Sequence, residues 1–447
     1  MTDAPVTANP ARHSTPTLLA FAAPCLPMAA LGLPLVVHLP TFYSQVVGIP
    51  LETVGLIFLV VRLMDIGVDP ILGSIMDRTR TRFGRFKPWL ALSILVMGLS
   101  TWILFLPPDG VGKMFLTVWL LVVYIGFSIS VLAQTSWASV LSPDYDQRSR
   151  IYGFWTAGNV VGILLVLVLP VVIGAMGGTQ AQGVAAMGLF IVILLPLTIG
   201  LAVWRVPEPQ PKSPPKTDWK AYIDFVKMAS VRRLMWTDLL FGLAPGVTGA
   251  LALFYFQAGK GLTEMQSNIL IFLYFAAGLI GAVLWTWLAS KIGKHKALAV
   301  AGLVFAAAYV TVALVPHGNF PLAAISMVGV GIPFCAGQVL LRAMLADVGD
   351  EDRLNSGSDR TAMLFALLTA TNKIGYALAA ATFIPLGWAG FNRAPHALQT
   401  PEALQALTIL FVGLPIVFLL AASAVIWTFP MNKERQAEIR ALLEARV

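Results

Sequence analysis

The chain has 447 residues, of which 57% are apolar and only 12% charged, and its 30 basic and 22 acidic side chains give a formal net charge of +8. Soluble domains carry about 25% charged residues, so this composition, with a mean hydropathy of +0.79, excludes a soluble enzyme with an added anchor, a disordered chain and a secreted disulfide scaffold. At about 20 apolar residues per crossing, the apolar content leaves room for roughly twelve membrane spans.

Residues 1–16 are polar and proline-rich, with no basic segment leading into a short apolar core. They read as a disordered cytoplasmic tail rather than a signal peptide. Six apolar segments follow, at 17–44, 52–76, 88–107, 114–141, 151–176 and 183–204. Six more occupy 235–258, 265–290, 296–316, 319–346, 360–386 and 403–430. The expected organisation is all-α: an N-terminal six-helix bundle over 17–204, a Pro- and Lys-rich cytoplasmic linker over 205–233, a C-terminal six-helix bundle over 234–430 and a cytoplasmic tail over 431–447. Cys25 and Cys335 both lie in apolar runs, which suits neither a disulfide framework nor a metal site.

The loop charges set the orientation. Arg78, Arg80, Arg82, Arg85, Lys87, Lys212, Lys216, Lys291, Lys294, Lys296, Lys433 and Arg435 are among the basic residues of one face, whereas the opposite loops hold only Lys113, Lys260 and Arg393. Basic loops stay on the cytoplasmic side, so both termini are expected there, with the protein in the inner membrane. The +8 excess is then an orientation signal, and no nucleic-acid partner is implied. An internal repeat is also expected. Gly73 and the loop through Gly84 and Lys87 follow the second span, and Gly281 with the Lys291–Lys296 loop follows the eighth, at the matching place in each half.

Charged residues inside spans cost about 2.5–3.5 kcal/mol each at mid-bilayer, so those present are the candidate functional groups. The second span carries Arg62, Asp65 and Asp69 at helical spacings of three and four, on one face. Two carboxylates one turn apart resist joint ionisation unless a cation lies beside them, so the pair can hold a proton or ligate Na⁺. The alternative is a structural ion pair with Arg62. Lys373, in the eleventh span, has no acidic neighbour on its own helix and needs a partner elsewhere, with Asp65 or Asp69 the obvious one. Arg62 and Lys373 against the two aspartates sum to zero.

Arg342 in the tenth span either grips a substrate carboxylate, phosphate or sulfate, or snorkels to the headgroups or pairs with Asp347 or Asp238. Asp238 reads as structural. In the fourth span, Ser130 and Gln134 share a face with Trp137 one turn on, which fits a substrate pocket, or else helix packing. His38, in the Pro-rich first span, is a candidate for the substrate or proton path.

The run Arg62-Leu-Met-Asp-Ile-Gly-Val-Asp-Pro-Ile-Leu-Gly73 resembles the second-helix signature of the glycoside–pentoside–hexuronide:cation symporter family. The loop Asp77-Arg78 through Gly84-Arg85-Phe86-Lys87 resembles that family's loop after helix II, and Asp347 through Asn372-Lys373 its helix X–XI segment. The resemblance covers nearly the whole chain after residue 16. It implies a major facilitator fold of twelve transmembrane helices in two six-helix bundles, and cation-coupled transport with no cofactor beyond H⁺ or Na⁺. It also implies cation-site roles for Asp65, Asp69 and the Ser130 hydroxyl, a central role for Lys373, a sugar-site role for Trp137, and gating by the loop of Asp77, Arg78, Gly84, Arg85 and Lys87.

The departures are specific. The family's helix I lysine–aspartate pair falls on Met28 and Ala29, its shared helix IV aspartate on Ala133, its helix V arginine on Gly158, its helix X tryptophan on Gln338 and a helix II asparagine on Val68. The sugar ligands are largely gone while the cation carboxylates remain. The expectation is therefore a monomeric, lipid-embedded symporter for a small organic solute, not a typical disaccharide and a candidate anion. Arg342, Gln338, Gln134, Trp137, Lys373 and His38 are its substrate candidates. Val68 and Ala133 remove oxygen ligands, which favours H⁺ over Na⁺. The alternatives are a lipid or lysolipid transporter on the same fold, and a non-transporting sensor or assembly factor. No nucleophile–base pair, nucleotide loop or metal cluster suggests an enzyme.

Overall fold

The computed structural model describes residues 14–141, 145–208, 225–356, 361–392, 397–431 and 433–444. Those residues are almost entirely helical and include no strand. Eleven helical stretches are long and apolar enough to cross a membrane. Leu51–Arg78 is also long enough, at 28 residues, but Arg62, Asp65 and Asp69 put it outside that apolar set. With it there are twelve spans.

Proline shapes the first span. It runs in three pieces, Thr15–Ala22, Cys25–Gly32 and Pro34–Gln45, with breaks at Pro24 and Leu33–Pro34, because proline supplies no N–H to the helical ladder. The second span is Leu51–Arg78, the third Lys87–Phe105, the fourth Lys113–Leu141, the fifth Tyr145–Ala175 and the sixth Gln180–Arg205. The seventh is Ala229–Phe254 with a wide turn at Tyr255–Gly259, followed by Glu264–Ile292, Lys294–Ala313 and Phe320–Ser356. The eleventh is Thr361–Ala380 with a short continuation at Phe383–Trp388, and the twelfth runs from Pro401 to Trp427 through a wide turn at Ile409–Gly413.

Several sequence boundaries shift. The tenth span continues ten residues past the expected end, as a helix to Ser356. The expected C-terminal tail forms the helix Lys433–Glu444, whose Ile439 is fully buried and whose Gln436 donates to Asp347. Strong helix formers in KERQAEIRALLE, plus one apolar anchor, account for it. The expected N-terminal tail lies outside the described residues except for its end, where Ser14 caps the first span. Most of the expected linker, 209–224, is likewise outside them.

The halves repeat one packing scheme. The first span packs on the fifth and the seventh on the eleventh; the second on the fourth and the eighth on the tenth; the third on the sixth and the ninth on the twelfth. Each half has its own apolar core. Contact between halves runs through the pairs first–seventh, second–eleventh and fifth–eighth. These contacts are tightest at the end away from the termini. A side-chain carbon at Gly55 would come within 2.7 Å of Phe383 Cβ, and one at Gly174 within 3.3 Å of Met265 Cβ. Toward the end bearing the termini, Gly73 on the second span and Gly153 on the fifth face open space.

The repeated glycines are not equivalent. Gly73 is unobstructed, whereas a side-chain carbon at Gly281 would overlap the Ile332 carbonyl of the tenth span. Gly281→Val should therefore force the eighth and tenth spans apart at a cost of about 1–3 kcal/mol, while Gly73→Ala should leave stability unchanged. Melting of the two purified variants in detergent distinguishes them, and equal melting temperatures would refute the packing argument.

Candidate functional site

The charged centre is assembled from both halves. Asp65 is buried at 1% exposure. Lys373 Nζ lies 2.8 Å from Asp65 Oδ2 and 2.6 Å from Asp69 Oδ2. One ammonium from the eleventh span therefore bridges two carboxylates on successive turns of the second. Ser128 completes the group: its hydroxyl donates to Asp65 Oδ1 at 2.8 Å and accepts from Lys373 Nζ at 3.0 Å. Both Asp65 oxygens are thus partnered, while Asp69 Oδ1 is buried with no hydrogen-bond partner.

Arg62 does not pair with either aspartate. Its guanidinium stacks over Tyr124, 4.4 Å from the ring centroid, and lies 5.6 Å from that of Tyr376. The zero-sum arithmetic from the sequence therefore needs correction: the directly bonded group is two carboxylates and one ammonium. Its charge is −1, and Arg62 acts on it from outside the hydrogen-bonded set.

The fourth span presents two polar stripes, and the residues singled out in the sequence lie on the one that does not reach Lys373. Tyr124 and Ser128, four residues apart, face the second span. Ser130, Gln134 and Trp137 face the interior of their own half. Ser130 is fully buried and shares a hydrogen bond of 3.1 Å with Ser93 of the third span. Gln134 donates to the Phe21 carbonyl at 2.9 Å and to Cys25 Sγ at 3.2 Å. It thereby ties the fourth span to the first beside the break at Pro24, which suits a membrane interior where loosened backbone groups need partners. Trp137 is 1% exposed, packs edge-on to Phe21 and donates through Nε1 to the Pro207 carbonyl at 3.1 Å. None of these three is placed to touch a solute at Lys373. The two stripes differ by a rotation that side-chain type alone does not reveal.

His38 Nε2 meets Asn268 Oδ1 at 3.1 Å, joining the first span to the eighth across the two halves. It is 3% exposed, so it serves as a latch between halves rather than as a cavity-lining group. Gln338 and Arg342, one turn apart on the tenth span, are both exposed. Arg342 is nonetheless densely surrounded by protein and acts electrostatically on Asp238 and Tyr376. Exposure within such surroundings places it on the wall of an internal opening. Asp347, the other candidate partner, is instead bonded to Lys294 at 2.6 Å.

The loop after the second span is held by a residue the sequence reading missed. Glu208, just past the sixth span, accepts backbone N–H bonds from Arg85, from Phe86 at 2.8 Å and from Lys87 at 3.1 Å. The third span has Phe86 at its N-cap, whose side chain makes no capping bond, and a carboxylate is favoured at a helix N-terminus. The missing cap was the available signal. Gly84 has φ of +114°, and a side chain there would strike the Glu208 carboxylate. Arg85 Nε donates to the Met76 carbonyl at 3.2 Å, and Lys87 Nζ lies 5.5 Å from the Trp137 ring centroid. Burial pulls the Arg85 guanidinium below its ordinary pKa, with Glu208 opposing. Arg78 is exposed, and the side chain of Asp77 lies outside the described set.

Two packed halves of six spans that meet at a charged centre have the architecture of a membrane transport protein of the major facilitator fold. A solved structure of the nucleoside transporter NupG has the same fold, with a TM-score of 0.69 over 92% of this chain and 100% of that one, at 12% identity. The family described as MFS/sugar transport protein matches residues 20–433, and the chain belongs to it. An uncharacterised symporter of Synechocystis is 24% identical over 92% of this chain and 93% of its own length. The isoprimeverose transporter of Lactiplantibacillus pentosus is 27% identical over 87% and 83%. The protein is thus an integral membrane transporter and not an enzyme.

Two substitutions test the placement. Ser128→Ala should alter the pH or Na⁺ dependence of transport, because it strips a bond from both Asp65 and Lys373. Ser130→Ala should leave that dependence unchanged. The reverse pattern in proteoliposome uptake would return the role to Ser130. Glu208→Ala leaves three N–H groups without a carboxylate, and the expected loss is about 1–3 kcal/mol, read as a lowered melting temperature.

Proposed function

We propose that the protein is a cation-coupled symporter of the inner membrane, with both termini cytoplasmic, that carries a small organic solute by alternating access. The observation that carries this reading is the Lys373 bridge between Asp65 and Asp69, with Asp69 Oδ1 unpartnered. A group of two carboxylates and one ammonium is one positive charge short of neutrality. A monovalent cation supplies that charge. Burial makes the shortfall costly, since an uncompensated charge in a low-dielectric interior is penalised by several kcal/mol.

The coupling cation is H⁺ in this reading. A proton needs one free carboxylate oxygen, and Asp69 Oδ1 is one. Na⁺ needs several oxygens, and three of the four at this centre already accept from Lys373 or Ser128. Cation loading weakens the hold of the carboxylates on Lys373. Because Lys373 belongs to the C-terminal half and the aspartates to the N-terminal half, loading loosens a bond between halves and permits them to rock. The symporters named among the relatives support coupling.

The solute side of the reading rests on Gln338 and Arg342, which share an exposed face of the tenth span. A guanidinium there favours a solute with an acid group, such as a sugar acid, over a neutral disaccharide. Trp137, Gln134 and His38 are withdrawn from the solute path by their packing.

Uptake by purified protein in proteoliposomes tests both parts, using labelled pentosides, glucosides and hexuronates under an imposed H⁺ or Na⁺ gradient. Wild type should accumulate an acidic member of the panel under the H⁺ gradient. Asp65→Asn and Asp69→Asn should retain exchange and lose accumulation more than tenfold. Accumulation against a gradient by both variants would sink the coupling assignment.

A further inference from the structure

Asp238, in the seventh span, is a buried acid that the centre at Lys373 does not use. It is 8% exposed. Its Oδ2 is buried and accepts no hydrogen bond. Arg342 of the tenth span acts on it electrostatically, and among the described contacts no ion pair joins the two. Tyr376 of the eleventh span interacts electrostatically with both, and with Arg62. On its own helix, Arg233 is turned away to the Thr428 carbonyl and Thr237 to the Arg233 carbonyl.

A carboxylate cannot remain ionised where it is buried, lacks a bond to one oxygen and has no ion-pair partner in contact. The desolvation of an unpaired anion far exceeds the work of binding a proton. Arg342 shows the complementary condition. It is a guanidinium on the wall of the opening, with Gln338 one turn away, and no carboxylate occupies its donors among the described residues.

We propose that Asp238 and Arg342 form a proton–anion exchange site in the C-terminal half: Asp238 holds a proton while Arg342 receives the acid group of the solute, and departure of that anion lets Asp238 ionise and take its place against Arg342. The balance is simple. One carboxylate leaves Arg342, the Asp238 O–H bond breaks, its proton passes to water, and the new carboxylate restores the charge beside the guanidinium. The anionic half of this proposal rests on the solute class suggested above; the protonation half does not. A solute anion would then travel with a proton of its own, separate from the cation at Asp65 and Asp69.

Infrared titration of the purified full-length protein in lipid nanodiscs tests this without knowledge of the natural solute. At neutral pH, wild type should show a protonated-carboxyl band that disappears in Asp238→Asn and returns in Asp238→Glu. Asp65→Asn and Asp69→Asn should each retain the Asp238 band, which separates failure here from failure of the coupling assignment. Arg342→Gln removes the facing cation, so the band should persist to higher pH. Sodium glucuronate, as probe anion, should also move its midpoint upward, by engaging Arg342. A neutral-pH spectrum unchanged in folded Asp238→Asn overturns the protonation of Asp238. No midpoint shift with glucuronate or with acetate overturns the anion exchange.

Discussion

One ammonium held between two carboxylates governs the rest of this structure. Lys373 belongs to one half of the molecule, and Asp65 and Asp69 to the other. Each of these charges is costly inside a membrane. Together they are tolerable, because each offsets another and Ser128 bonds both Asp65 and Lys373, while Asp69 Oδ1 has no hydrogen-bond partner. The bond is therefore both a solution to burial and a tie across the interface. A buried pair of this kind adds little net stability over an apolar contact, so its value lies in being replaceable. In the coupling proposed above, it is a proton at Asp69 that competes with the ammonium.

The surrounding architecture isolates that exchange. At the end away from the termini the halves meet through glycines, with Gly55 against Phe383 and Gly174 against Met265, and through the His38–Asn268 hydrogen bond. At the other end Gly73 and Gly153 face open space. The repeated pairings of spans within each half mean that each half can turn as a body without repacking its own core.

Much of the fold was legible in the sequence, because twelve apolar segments and the loop charges leave few arrangements open. The charged centre was legible for the same reason: Asp65, Asp69 and Lys373 stand out against an apolar background. What failed were questions of rotation and of non-local capping. Ser128 and Ser130 are equally small and polar, and only the packing of the fourth span decides which one faces the second. Gln134 and Trp137 look like pocket residues by type, yet they repair and pack the joint with the first span. An ion pair of Arg62 with the aspartates was the alternative in the sequence, and its guanidinium reaches instead to Tyr124 and Tyr376 on two other helices. Glu208 lies far from the loop it grips, so no local pattern announced it.

That grip has a mechanical side. Glu208 holds the start of the third span, Arg85 in the same loop holds the Met76 carbonyl, and Met76 lies two helical turns beyond Asp69 on one continuous helix. The first residues after the sixth span are therefore geared to the helix that bears both central aspartates.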